Sequence, residues 1–236
     1  MAAEFTTLPR LWLDPIPSVL RATAERQFES GDWLGFLSLA DNSASLSLVA
    51  FNQTALLDRG IYEAALLHAL TASRLNNRHW SVRELAALVA RADITRLRAA
   101  GDPPPETSPL TVFRGVAGRG RARRVRGFSW SRSLPVAAWF ARRAGASFGL
   151  ADPAVYRATV TARDVLAYVN DRREEEVFLM PTARLKPVRY LDGAALTVQA
   201  EAEDEARRRT WKVRSVTPAG GESNNTPAAS TMRGER

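Results

Sequence analysis

Three stretches in the second half of the chain carry side chains suited to binding an anion and to stabilising and orienting charge. An arginine closes the apolar run Val112-Phe113-Arg114-Gly115-Val116. A serine pair flanks an aromatic in Gly127-Phe128-Ser129-Trp130-Ser131. The triplet Glu174-Glu175-Glu176 stands directly before the apolar Val177-Phe178-Leu179. A guanidinium stays charged at any working pH and offers a planar fork of donors, so Arg114 suits the anchoring of an anionic group. A fixed carboxylate can stabilise positive charge that develops in a transition state, and Glu176 is the candidate for that work. On an extended segment residues two apart face the same side, which joins Glu174 to Glu176 and turns Glu175 away. Ser129 suits orientation, through a hydrogen bond to a carboxylate such as Glu176. Singly, a strand-end arginine, a serine pair and a glutamate triplet are ordinary surface features. Their order and local context are what make them a set.

The elements that position these residues follow from hydrophobic period. From Pro17 to about Ala100 apolar residues recur at spacings of three and four, in PSVLRATAERQF, DWLGFLSLA, IYEAALLHALTASRL and SVRELAALVARADITRLRAA, which predicts helices. Ser81 and Glu84 form a capping box that starts one of them. Gly101-Asp102-Pro103-Pro104-Pro105 cannot continue a helix and reads as a linker. Beyond it the period becomes two. Short strands are expected at Thr111 to Arg114, Phe128 to Ser131, Val155 to Val160, Glu176 to Met180, Arg184 to Leu191 and Ala195 to Val198, with one helix from Pro135 to about Arg143. The expected architecture is α+β: a helical N-terminal region over residues 1–105, then a mixed, mostly antiparallel sheet core over 106–200. A helix is expected over 201–217 and a disordered tail over 218–236.

Composition removes several function classes. The chain has 236 residues and 45% hydrophobic composition, enough for a full core. It has no cysteine, which excludes disulfides, thiolate metal ligation and a cysteine nucleophile. Its two histidines, His68 and His79, fall in or beside helix-like stretches, where packing is the ordinary explanation, and no metal is expected. With no long apolar run and no signal-like start, the expectation is a cytoplasmic protein without membrane association. Glycines 115, 118 and 120 give GxxGxG without the lysine and serine or threonine of a phosphate loop, and HExxH, EF-hand and GxSxG patterns are missing. The net charge is +8, and Arg119, Arg121, Arg123, Arg124 and Arg126 crowd the connection between the first two motifs. A solvated loop and a contact with an acidic protein or nucleic acid are both compatible with that run.

The set of motifs resembles the arginine-serine-glutamate, or cholera-toxin-like, branch of the NAD-dependent mono-ADP-ribosyltransferases, over residues 110 to about 192. That branch has an arginine on its first core strand, a serine-threonine-serine strand leading into a helix, and a Glu-x-Glu motif whose second glutamate opens a strand. The other branch uses a histidine on the first strand, and neither histidine of this chain lies in the strand-rich half.

The resemblance implies an ADP-ribosyltransferase core, NAD as substrate and no metal. It implies Glu176, Glu174, Arg114 and Ser129 as catalytic residues, and Arg114, Gly115, Ser129, Trp130, Ser131 and Phe140 around NAD. Tyr168 and Asn170, in a stretch from Asp164 to Arg173, occupy the place of an acceptor-recognition loop, and Gly145 to Asp152 that of a loop closing over nicotinamide. Glu174 would assist the acceptor nucleophile, as in family members that modify arginine. Trp130 stands where the family has a small residue, as a stacking platform or as sheet core. The implied partners are NAD, a macromolecular acceptor that is protein or nucleic acid, and a neutralising or regulatory partner of an effector or toxin. A NAD glycohydrolase and a non-catalytic basic nucleic-acid-binding module are the alternatives.

Overall fold

A computed structural model describes residues 10–72, 80–105, 109–170, 172–182 and 184–216, with side chains described as far as 209. The first half is helical, as its period predicts: α1 (Arg21–Glu29), α2 (Trp33–Ser38), α3 (Ser45–Phe51), α4 (Gln53–Asp58), α5 (Tyr62–Ala72), α6 (Val82–Val89) and α7 (Ile94–Ala99). Side-chain caps set several of the starts. Asp32 accepts from Gly35 N ahead of α2, Asp93 accepts from Thr95 N and Arg96 N ahead of α7, and Ser81 and Glu84 close the expected capping box of α6. His68 lies on α5 with its ring 5.4 Å from that of Trp33, a packing position. His79 and the expected tail lie outside the described residues.

The second half contains β1 (Leu110–Val116), β2 (Ser129–Ser131), α8 (Leu134–Phe148), β3 (Ala154–Val160), β4 (Val165–Val169), β5 (Glu176–Leu179), β6 (Val188–Asp192) and α9 (Gly193–Val216). The strands form one sheet in the order β4-β5-β2-β1-β3-β6, and every described pairing is antiparallel, so the sheet is not mixed. The fold class is α+β.

Three expectations about elements need correction. Ala195 to Val198 is not a strand but the first turn of α9. Gly193 turns the chain at φ +53°, and Leu196 and Ala200, four apart, are buried against α8. The strand expected from Arg184 begins only at Val188, after Pro187, which has no N–H for a ladder. Asp164 to Arg173 is not one loop, because Val165–Val169 forms β4 at the sheet edge. That edge is covered. Arg98 Nε donates to the Val165 carbonyl at 3.0 Å, Asp102 N donates to the Tyr168 carbonyl at 2.8 Å, and Asn170 N donates to Asp102 Oδ2 at 2.6 Å.

The packing places helices at two regions of the sheet. Phe128, Leu166, Ala167 and Phe178 belong to the same buried cluster as the N-terminal helices, so these helices and the β4-β5 end share one core. Over β1, β3 and β6, Ala137, Ala138 and Ala141 of α8 and Leu196 and Ala200 of α9 pack with Phe113, Val155 and Leu191. A third cluster contains Val112, Trp130, Tyr168, Val177 and Leu179, of which Val112 alternates with Phe113 on β1 and Val177 and Leu179 alternate with Phe178 on β5.

Gly115 is where α8 meets the sheet. A Cβ there would stand 2.6 Å from Ala141 N and 2.9 Å from the Ala137 carbonyl carbon, and closer still to the Ala137 oxygen. These are helix backbone atoms, which cannot swing aside as a side chain can. Gly115→Ala is expected to destabilise the fold by about 1–3 kcal/mol through overpacking. Thermal unfolding would register this as a midpoint lowered by several degrees for a chain of this size.

Candidate functional site

The register of the ladder brings the serine and glutamate motifs together. Ser131 pairs with Glu176 and Ser129 with Phe178, while Ser131 also pairs with Phe113 across β1. Paired positions share a face, so Ser129, Ser131 and Glu176 lie between Phe113, which meets α8 and α9, and Phe178, which meets the N-terminal helices. Ser129, Ser131 and Glu176 therefore sit at a seam between two helical layers.

Within that seam Ser129 Oγ donates to Glu176 Oε1 at 2.5 Å, a charge-assisted bond that fixes the carboxylate. Arg114 donates through Nη1 to the Ser129 carbonyl and through Nε to the Arg124 carbonyl at 3.2 Å. Its guanidinium has room because residue 127 is glycine: a Cβ at Gly127 would come within 2.6 Å of Arg114 Cζ. Loss of water pushes the Arg114 pKa down to about 10, with the Glu176 carboxylate opposing the shift and Arg124 adding to it. The group remains a cation at neutral pH.

Ser131, 6% exposed, serves as a fastener. Its hydroxyl donates to the Glu174 carbonyl at 2.7 Å and accepts from Ser133 N at 2.9 Å, and Ser133 in turn caps α8. Glu174 and Glu176 do point to a common place, since Arg172 Nη2 lies 3.1 Å from Glu174 Oε2 and 3.4 Å from Glu176 Oε2. The backbone between them is not the extended segment that spacing suggested. Glu175 takes φ +43° and its carboxylate lies 3.8 Å from Arg132, away from its neighbours. Asn170 Oδ1 accepts from Glu175 N at 3.1 Å and so helps to shape this turn.

Three residues that sequence reasoning did not single out complete the arrangement. Arg172 also donates through Nη1 to the Thr71 carbonyl of α5 at 2.8 Å, which ties the loop to the N-terminal helices. Arg207 of α9 lies 3.3 Å from Glu174 Oε1, is held by Glu203 at 2.7 Å, and stacks with its Cζ 4.1 Å from the Trp139 ring centre. Trp139 is fixed by a bond from Nε1 to Asp204 Oδ1 of 2.5 Å. Arg172 had a sequence signal, its spacing of two from Glu174. Arg207 had none, because a helix 33 residues downstream in sequence supplies it.

Other expected residues occupy packing positions. Gly115 faces the α8 backbone, as described above. Trp130 is 2% exposed and donates to the Gly127 carbonyl at 2.9 Å, so it is sheet core and has no open ring face for stacking. Tyr168 is a β4 residue 7% exposed, with its phenol pKa raised by burial and by Glu175. Phe140 is half-buried on α8, edge to face with Trp139 at 5.0 Å. Gly145 lies inside α8, which extends to Phe148 and ends at Gly149 with φ +59°, leaving a connection of only a few residues before β3. In the arginine-rich loop Arg123 folds inward, donating to the Gly118 carbonyl at 2.7 Å and pairing with Asp152. Arg119, Arg121 and Arg126 are exposed. Among the described residues no group of three or more His, Cys, Asp or Glu side chains could hold a metal ion, and no helix is long and apolar enough to cross a membrane.

Ser131→Ala is expected to leave the Glu174 carbonyl and the Ser133 N–H unpaired, at about 1–3 kcal/mol of stability. Hydrogen exchange should then quicken in residues 172–176 more than in β1 or β3, and uniform acceleration would refute the fastening role. No protein-family model, curated protein or solved structure matches the chain.

Proposed function

We propose that this chain is a mono-ADP-ribosyltransferase that cleaves NAD at the nicotinamide–ribose bond and passes ADP-ribose to a macromolecular acceptor, protein or nucleic acid. The observation that carries the reading is the 2.5 Å bond from Ser129 Oγ to Glu176 Oε1, with Arg114 bonded to the backbone of that same serine. Three residues separated by up to 62 positions share one network, in the roles that their chemistry suits.

Departure of nicotinamide leaves positive charge on the ribose, and a carboxylate stabilises that charge best when it is already oriented and poorly hydrated. Glu176 meets both conditions, with a side chain 12% exposed and one oxygen held by Ser129. Arg114 supplies a cation for the pyrophosphate, and the space over Gly127 is what lets its fork lie flat. Glu174, which has Arg172 against it, is the carboxylate assigned to the acceptor nucleophile in this reading.

Glu176→Gln keeps the shape of the side chain and removes its charge. Nicotinamide release, followed by chromatography, should fall by at least about 10²–10³-fold while the thermal midpoint stays near that of the parent; undiminished release would overturn the assignment. Radiolabelled NAD incubated with separate protein, RNA and DNA fractions identifies the acceptor, and free ADP-ribose with no labelled macromolecule would assign hydrolysis instead.

Gly127→Ala addresses the arginine separately. The added methyl meets the end of a flexible side chain, so the fold should persist while the guanidinium is displaced. NAD affinity, measured by calorimetry on the folded variant, is expected to fall roughly tenfold, the loss of about one charge-assisted hydrogen bond.

A further inference from the structure

Arg172 is placed unlike an ordinary surface arginine. Its Nη2 stands 3.1 Å from Glu174 Oε2 and 3.4 Å from Glu176 Oε2, between the two carboxylates of the candidate site, while Nη1 is held by the Thr71 carbonyl at 2.8 Å. The side chain is still 41% exposed, so a bulky group attached to it has an outlet to solvent. A guanidinium nitrogen is a nucleophile once a base takes its proton, and here a carboxylate is already in contact with it. The partner to be attacked, the ribose carbon that loses nicotinamide, is stabilised by Glu176, the other carboxylate touching the same nitrogen. Holding a nucleophile at the reacting centre turns a bimolecular step into a unimolecular one, with effective concentrations far above those of any free acceptor.

We infer that Arg172 is an intramolecular acceptor: the chain attaches ADP-ribose to its own Arg172 Nη2. The inference rests on the transferase reading and adds a modification site to it. In this step the bond between ribose C1′ and the nicotinamide nitrogen breaks, and its electron pair leaves with neutral nicotinamide. A bond forms between C1′ and Arg172 Nη2. The proton displaced from Nη2 passes to Glu174 and then to water. One NAD is consumed, and one nicotinamide, one ADP-ribosylated arginine and one proton are produced, with no redox change. The modified side chain can no longer bridge Glu174, Glu176 and Thr71 as the free guanidinium does, and its ADP-ribose lies where the next NAD must enter. Self-modification therefore limits turnover.

The test incubates the full chain with NAD, follows nicotinamide release, and localises added mass by fragmentation of the peptide that contains residue 172. The expected result is one ADP-ribosyl group on Arg172, appearing with a first-order rate constant that is unchanged over a tenfold dilution of the protein, together with nicotinamide release that slows as the modification accumulates. Arg172→Lys keeps a cation opposite the carboxylates and removes the guanidinium, and it should lose the added mass at that position. Nicotinamide release with Arg172 unmodified overturns the inference and leaves the transferase reading standing. A modification rate that falls in proportion to dilution also overturns it, because the acceptor would then be a second molecule. Absence of nicotinamide release from the parent chain removes the transferase reading and this inference together.

Discussion

Two carboxylates almost out of water, Glu174 and Glu176 with side chains 10% and 12% exposed, impose the main electrostatic demand on this fold. Like charges brought close in a poorly hydrated place are tolerated only if cations and donors compensate them. Here the compensation comes from four directions: a hydroxyl from β2, a guanidinium from the loop before β5, a second guanidinium from α9, and the field of Arg114 on β1. No single element could supply them all. The sheet order, the position of α9 and the docking of the N-terminal helices are each needed to bring one of these groups to the pair.

The same demand explains why the helical first half and the stranded second half are not independent. Phe178, two residues from Glu176 on β5, is buried in the helical cluster, and full burial of such a ring contributes roughly 1.5–3 kcal/mol. The β4 edge is closed by Arg98 and Asp102, which belong to the end of α7 and the segment after it. Arg172 then joins the glutamates to the last turn of α5. Within the linker-like sequence at 101–105, Asp102 therefore ties the chain to the end of β4, through the Tyr168 carbonyl and Asn170 N.

What was legible in sequence follows from the range of the interactions involved. Helices declared by a period of three and four and by local caps, such as α6 behind Ser81, are written in adjacent residues, and they form as expected. Ser129 and Glu176 each open a strand that the sequence marks, and the ladder sets those strands side by side, whereas Arg114, inside β1, joins them through its bond to the Ser129 carbonyl. Side-chain direction was less legible. Trp130 and Tyr168 are amphipathic residues whose types allow either a binding surface or a core, and only the pairing of Trp130 with Val177 and of Tyr168 with the same valine decides for the core. Ala195 to Val198 misled because a short apolar run fits either period, and the arbiter is α8, which receives Leu196 and Ala200 together.

Arg207 marks the limit of that legibility, and its effect on the site is a matter of charge balance. Each glutamate oxygen that the described contacts involve has a defined partner: Ser129 and Arg172 for Glu176, Arg172 and Arg207 for Glu174. Arg172 is common to both, whereas Ser129 and Arg207 each serve one. If Arg172 were displaced, Glu176 would keep the Ser129 hydroxyl and the field of Arg114. Glu174 would keep a cation, Arg207, anchored by Glu203 and the Trp139 ring. The two glutamates thus draw their remaining compensation from different elements, Glu176 from β1 and β2 and Glu174 from α9.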